Sequence, residues 1–156
     1  MKKQLVKGFT MLILIVALAF VTAVASANGQ SQRVKADIPF EFAVGDKLLP
    51  AGEYTVKSAT AAGEALTIRS ENAKSSAMRL TNAIEDQRNR GQVKLVFHRY
   101  GERCFLAEVW TGESSGRELI ESKQERAIER ELASISAKSD SAQVKHERVE
   151  ILGTLQ

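Results

Sequence analysis

Cysteine, histidine and proline are all scarce in this chain of 156 residues, which has one cysteine, two histidines and two prolines. The single cysteine, Cys104, cannot form an internal disulfide, so the fold must rest on packing alone. A metal site would need both His98 and His146 together with carboxylates from distant segments, and we expect none under ordinary tetrahedral ligand rules. His146 opens the sequence HERVE, which lacks the second histidine of a zinc-protease motif.

Residues 1–27 have the three parts of an export signal. Lys2, Lys3 and Lys7 make a basic start, an apolar run follows from Phe9, and Ala25-Ser26-Ala27 is a small-residue cleavage triplet. We therefore predict cleavage after Ala27 and a periplasmic or extracellular location. The alternative is an uncleaved anchor, because the uncharged run 8–28 approaches the length of about 20 residues that a membrane-spanning helix needs.

The charge balance disfavours one class of partner. Three of the 22 lysine and arginine residues lie in the signal and none of the 19 acidic residues does, so the processed chain carries 19 of each. A net charge of zero does not fit a protein that binds nucleic acid or an anionic membrane through its overall charge. We expect no nucleic-acid partner and no stable membrane insertion after signal cleavage.

Residues 28–133 predict one β-rich domain. The segment VKADIPFEFAV alternates with period two, as a half-buried strand does, and its Pro39 predicts an edge or a bulge. Tyr54 and Val56 point inward from the next strand. The segments ALTIRS and SAMRLTNAI predict a further hairpin, with an apolar side made by Leu66, Ile68, Met78 and Leu80.

The stretch LVFHRYGERCFLAEVW, residues 95–110, predicts the strongest hairpin. Val93, Leu95 and Phe97 are apolar at odd positions, and so are Phe105, Ala107 and Val109. A three-residue loop, either 99–101 or 100–102, keeps odd positions opposite odd ones, whereas a loop of two or four residues mixes the faces and is rejected. The even face, which includes His98, Cys104, Leu106, Glu108 and Trp110, is too apolar for open water and needs a cover.

That cover is predicted in the segment SSGRELIESKQERAIERELASI, where Ser115-x-x-Glu118 has the spacing of a capping box and apolar residues from Leu119 to Ile135 form one stripe. We expect this helix to lie over Leu106 and Trp110. Residues 134–156 then form a Ser-rich link and either a last strand or a loose tail. The predicted fold is an all-β antiparallel sandwich or small barrel of about six or seven strands, with one α-helix in the C-terminal half.

Three placed segments, IPFEFAVGDKLLPAGEYTV, LVFHRYGERCFLAEVW and GRELIESKQERAIERELA, resemble a group of small, exported, uncharacterised bacterial proteins with the pattern IPFxFxVG, LPAGEY and LVFHRYG. The resemblance covers most of residues 35–133. It implies export and a β-rich domain, and it implies no activity or cofactor. An aromatic residue commonly stands in that group where this chain has Cys104, which disfavours a shared role for the thiol.

Two sets of site residues can be put forward from the sequence. The first is a thiol nucleophile at Cys104, with His98 as its base and Glu108 as the group that orients the base. The favoured hairpin registers place His98 and Cys104 on one face, but no helix N-terminus activates the thiol and the covering helix would exclude a substrate. The second is a binding contact at the hairpin tip, where an exposed Tyr100 would stand between Arg99 and Arg103. The favoured alternative is that Tyr100 is a turn residue packed on its own hairpin.

Neither set amounts to a catalytic signature. No carboxylate pair has a spacing typical of glycoside hydrolysis, and GDKLLPAG lacks the ending of a phosphate-binding loop, so we expect no cofactor. The sequence favours an exported, non-enzymatic binding or structural module with envelope or polysaccharide components as its partners. The alternative is a thiol-dependent hydrolase or redox-active protein that uses Cys104 and His98.

Overall fold

The computed structural model describes residues 32–72, 74–138 and 146–156. This part of the chain is mostly β, with a single α-helix in its C-terminal half, as predicted. The strands are β1 Arg33–Ile38, β2 Phe42–Val44, β3 Lys47–Leu49, β4 Gly52–Ser58, β5 Ala65–Ser70, β6 Ser76–Glu85, β7 Val93–Tyr100, β8 Arg103–Thr111, β9 Ser115–Leu119, β10 Glu147–Leu152 and β11 Thr154–Leu155; the helix is α1 Lys123–Lys138. Eleven strands exceed the predicted six or seven, partly because β2, β3 and β11 have three residues or fewer.

The main strands pair in the order β10, β7, β8, β9, β6, β5, β4, β1, β11. β6 pairs with a different strand along each half of its length: residues 76–80 pair with β5, and residues 81–85 pair with β9. β10 pairs with β7 and β11 pairs with β1, and only Gly153 separates β10 from β11. The C-terminal segment therefore joins both ends of the strand order, and the predicted strand is confirmed over the predicted tail.

The core lies between the inward faces of these strands. Phe42, Tyr54 and Phe97 are buried there, whereas Phe105 is buried under the helix and Trp110 is buried against Gly116 of β9. The Phe42 ring packs edge-to-face on Tyr54 and on Phe97, with centroids 5.0 and 5.4 Å apart. Pro39, which cannot donate to a ladder, falls between β1 and β2 and interrupts the predicted strand there.

β6 presents the opposite face from the one predicted. Ala77 and Thr81 are buried, whereas Met78 and Leu80 are 66% and 60% exposed. The register explains the reversal, because Ala77 lies opposite the buried Ile68 and Met78 lies opposite Thr67 on the outer side of β5. The prediction that Met78 and Leu80 belong to the apolar inner side is wrong.

The β7–β8 hairpin has the two-residue loop that the sequence argument rejects. Tyr100 lies opposite Arg103, so the loop is Gly101-Glu102, and Gly101 has the positive φ of 63° that a tight hairpin turn requires.

A register shift lies farther along the hairpin, since Phe97 lies opposite Leu106 but Val96 lies opposite Glu108. Ala107 is the extra residue of this bulge, and beyond it Leu95 faces Val109, which restores the predicted odd-to-odd pairing.

The helix cap lies seven residues later than the predicted cap, Ser115. Ser115 to Leu119 form β9, and Ser122 is the true cap: its hydroxyl oxygen accepts a hydrogen bond of 3.0 Å from the backbone N–H of Glu125. Ile128 and Leu132 pack with Ala43, Tyr100 and Phe105, so the helix covers the tip of the hairpin.

The prediction that the helix covers Leu106 and Trp110 is wrong. Leu106 belongs to the main core, and Gly116 of β9 packs on the Trp110 ring.

Two predictions fall outside the described residues: the signal at 1–27 and most of the Ser-rich link. Within the described part of the chain, no helix is both long and apolar enough to cross a membrane.

Gly153→Ala tests the link between the two ends of the strand order. An added Cβ would lie 2.8 Å from Cγ1 of Val34 and 3.0 Å from the backbone oxygen of Lys35, so β1 and the C-terminal segment would have to separate. We expect the free energy of unfolding in urea to fall by about 1–3 kcal/mol. The control Thr154→Ala, at an exposed neighbouring position, should change it by less than about 0.5 kcal/mol. Equal values for the two variants would contradict the close approach at Gly153.

Candidate functional site

The structure separates the residues of the predicted thiol site. His98 lies opposite Phe105, whereas Cys104 lies opposite Arg99, so His98 and Cys104 point to different sides of the hairpin. Phe105 packs with the helix and Cys104 packs with the main core. The expectation that His98 and Cys104 share a face is wrong, because it depended on a three-residue loop.

Cys104 is 6% exposed and belongs to the main core. Burial raises the pKa of its thiol, nearby Arg99 lowers it and Glu147 raises it further. A raised pKa keeps the thiol protonated near neutral pH, which is the opposite of what a nucleophile needs.

Glu108 serves as an anchor on the outer face of the hairpin. Its two carboxylate oxygens accept hydrogen bonds of 2.9 and 3.0 Å from the guanidinium of Arg148, and Oε2 also accepts one of 2.7 Å from the indole N–H of Trp110. Arg148 in turn donates to Glu150, which also holds the buried ammonium of Lys94. The carboxylate of Glu108 therefore fastens β10 to the sheet and does not orient His98.

His98 belongs to a polar cluster between the sheet and the helix. Its Nδ1 lies 3.2 Å from Oε1 of Glu125, which is 5% exposed, and its ring stacks on that of His146 with centroids 3.9 Å apart. No spacing in the sequence predicts this stacking, because the two histidines come from β7 and from the residue before β10. Within the described residues there is no group of three or more histidine, cysteine or acidic side chains arranged to hold a metal ion.

Tyr100 is part of the same cluster and packs on Phe105 of its own hairpin, so the alternative of a packed turn residue is confirmed and the exposed tip contact is wrong. The residue is 7% exposed, and its hydroxyl donates a hydrogen bond of 2.8 Å to Glu129 of the helix. Burial raises the pKa of Tyr100, and the bond to Glu129 raises it further. Arg99 and Arg103 are exposed, and Nε of Arg99 donates to the backbone oxygen of Gly101. The three residues therefore form no common binding surface.

The structure adds a cavity that the sequence did not predict, at the end of the strands opposite the helix. Its volume is about 260 Å³. Its walls include buried apolar side chains from four strands, namely Val34, Val56, Leu66 and Val109. We call it the end cavity. Such an apolar pocket between strands suits the uncharged part of a small ligand.

Polar groups surround the mouth of the end cavity. Glu113 accepts hydrogen bonds from Gln32 and Ser115, and Arg117 donates one of 2.7 Å to the backbone oxygen of Ala62. The side chain of Arg117 also lies against Gly63, where an added Cβ would be 2.5 Å from the guanidinium. Sequence reasoning missed this rim because it placed Ser115 and Arg117 in a helix, and because the walls come from segments far apart in the chain.

Comparison of the chain with protein-family models, with curated proteins and with solved structures finds no match in any of the three. The resemblance to the exported group therefore stays a prediction.

Alkylation of Cys104 distinguishes a core thiol from a reactive one. We expect iodoacetamide to modify the folded protein at least about tenfold more slowly than the urea-unfolded protein between about pH 6 and pH 9, because burial limits both access and ionisation. The raised pKa also means that the thiol's contribution to stability is complete below the unfolded pKa and is lost as the pH rises through the folded pKa. Fast alkylation of the folded protein near neutral pH, lost in His98→Ala, would restore the thiol site.

Proposed function

We propose that this chain is an exported, non-enzymatic binding module of the periplasm or the outer envelope, and that it holds the apolar part of a small ligand in the end cavity. The observation that carries the proposal is the end cavity itself, with buried apolar walls and a polar rim. Its volume of about 260 Å³ is slightly below the range of about 300–1,000 Å³ typical of pockets for drug-sized molecules. That volume fits a ligand smaller than a drug-sized molecule, or one end of a larger envelope molecule.

The positions of the reactive side chains support a binding role over a catalytic one. Cys104 is packed in the core, Glu108 is committed to Arg148 and Trp110, and His98 is held by Glu125. These contacts hold the fold together. The rim of the end cavity instead offers hydrogen-bonding groups that need no proton transfer or nucleophile, which suits recognition of a polar headgroup.

A fluorescent apolar probe tests the end cavity. We expect N-phenyl-1-naphthylamine to bind the processed chain, with an affinity about tenfold or more weaker in Ala83→Phe, a change of about 1.4 kcal/mol. Ala83 lines the cavity and is itself exposed, so the new ring can fill the mouth without disturbing the core. The matched control is Ala133→Phe, which adds the same ring at an exposed position on the helix. Equal affinity in the two variants would contradict a ligand site in the end cavity.

Intact mass of the exported protein tests the location. We expect the mass of a chain that begins at Asn28, because the signal ends in Ala25-Ser26-Ala27. Replacing both alanines by leucine should abolish processing, whereas Ser26→Leu, at the variable middle position of the triplet, should leave it intact. A full-length mass for the unchanged protein would instead support the anchored alternative.

A further inference from the structure

The outer face of β1, β4, β5 and β6 combines exposed cations with exposed apolar side chains. Exposed cations lie on it at Arg33, Lys57 and Arg69, with Lys74 in the loop before β6. Beside them, Met78 and Leu80 point outward from β6. We call these six residues the basic-apolar face.

The pairing of the strands fixes how close these side chains lie. Arg33 is directly opposite Lys57, Lys57 is opposite Thr67, and Thr67 is opposite Met78, so one row crosses all four strands. At about 4.8 Å between neighbouring strands, this row is about 14 Å long. Arg69 lies on the next row, diagonal to both Lys57 and Met78, at a distance of about 7–8 Å from each.

The four cations of this face make no close ion pair with a carboxylate. Among the described residues, none of the four makes an ion pair within 4.0 Å, although Lys35 on the same face pairs with Glu53 at 3.0 Å. Glu71, the one acidic residue that shares an open depression of about 680 Å³ with Lys57, Arg69 and Lys74, accepts a hydrogen bond from Thr55. Like charges directly opposite on a sheet are destabilising, so the pair Arg33 and Lys57 costs stability unless an anion is bound.

The outward Met78 and Leu80 identify the kind of anionic partner. A soluble acidic polymer would satisfy the cations but would leave these two apolar side chains in water. The surface of an anionic lipid bilayer satisfies both, because its headgroups meet the cations while its acyl region takes short apolar side chains. Ile120, which is 39% exposed and donates its backbone N–H to Leu80, continues the apolar edge.

We propose that the basic-apolar face docks this protein reversibly on an anionic lipid surface. The inference rests on the proposed function, since an exported chain meets such a surface in the envelope, and it names the partner of that binding module. The zero net charge of the processed chain does not exclude a local group of cations on this face. Docking through it is peripheral and agrees with the expectation of no stable membrane insertion.

Cosedimentation with vesicles tests the proposal, using the processed chain of verified mass. We expect binding to phosphatidylcholine vesicles that contain about one third phosphatidylglycerol, little binding to pure phosphatidylcholine, and release by salt. In the triple variant Lys57→Gln, Arg69→Gln, Lys74→Gln, the affinity should fall by roughly a hundredfold, at about 1 kcal/mol per cation. The double variant Met78→Ser, Leu80→Ser should also bind more weakly.

A matched control removes as many cations elsewhere. The control is the triple variant Arg99→Gln, Arg103→Gln, Lys123→Gln, whose residues are exposed at the hairpin tip and at the start of the helix. It should bind vesicles like the unchanged protein. The triple variant of the face should also keep its melting temperature or gain, because it relieves the repulsion between Arg33 and Lys57. Lost vesicle binding together with an undiminished melting temperature therefore cannot be attributed to unfolding.

Three results would overturn the proposal. One is equal binding to vesicles with and without phosphatidylglycerol, and another is an equal loss in the control variant. The third is binding to soluble polygalacturonate that matches vesicle binding and is unaffected by Met78→Ser, Leu80→Ser, which would identify an acidic polymer as the partner. Probe binding in the end cavity, measured without vesicles, should survive in Arg69→Gln, Lys74→Gln and in Met78→Ser, Leu80→Ser, because none of these four residues lines the cavity. Failure of the docking proposal and failure of the proposed function are therefore distinguishable.

Discussion

The fold depends on the position of Gly153 between two strands that are far apart in the sequence. Its backbone N–H donates a hydrogen bond of 2.9 Å to Val93 at the start of β7, and its Cα lies so close to Val34 and Lys35 of β1 that a side chain would not fit. The residues before Gly153 pair with β7 and those after it pair with β1. Because a single cysteine excludes an internal disulfide, this backbone contact takes the place of a covalent link between the edges.

The ion pairs of β10, in which Arg148 binds Glu108 and Glu150 binds Lys94, support that arrangement. They do not supply most of the free energy of folding at this edge. Arg148 is 45% exposed, and exposed ion pairs contribute about 0–1 kcal/mol each. The apolar residues beside these ion pairs weigh more, since a fully buried side chain such as that of Val96 or Leu95 contributes about 1.5–3 kcal/mol. The bidentate contact of Arg148 with Glu108 is directional, so its main effect is to fix the register of β10.

The two ends of the strands differ for a physical reason. At the hairpin end, the apolar contact of the helix is small, consisting of Ala43, Tyr100, Phe105, Ile128 and Leu132. Part-buried hydrogen bonds between His98 and the Glu125 carboxylate and from the Tyr100 hydroxyl to Glu129 then specify where the helix lies. At the other end no helix covers the described strands, and the inner residues Val34 and Val109 become the walls of the end cavity. Covering one end thus leaves an open cavity at the other.

Local patterns predicted the strands well where one face is consistently apolar, as at Tyr54 and Val56 or Leu66 and Ile68. They failed where two local signals are equivalent. Ser115-x-x-Glu118 and Ser122-x-x-Glu125 have the same spacing, and only the pairing of Ser115 to Leu119 with β6 decides between them. The bulge at Ala107 likewise permits a two-residue loop without losing the register farther along, which no count of loop residues reveals.

Sites formed by distant segments were beyond sequence reasoning. The stacking of His98 on His146 depends on β10 pairing with β7, and the end cavity depends on four strands meeting. The outward side of β6 is a similar case, because Met78 and Leu80 look like core residues until their partners are known. The chain neutralises charge where a strand must be held, as with Lys94 and Glu150, and leaves it unpaired beside exposed apolar groups on one face. Each feature alone is common on a solvated surface, but the combination of unpaired cations with adjacent apolar side chains on one face is the basis for proposing a docking surface there.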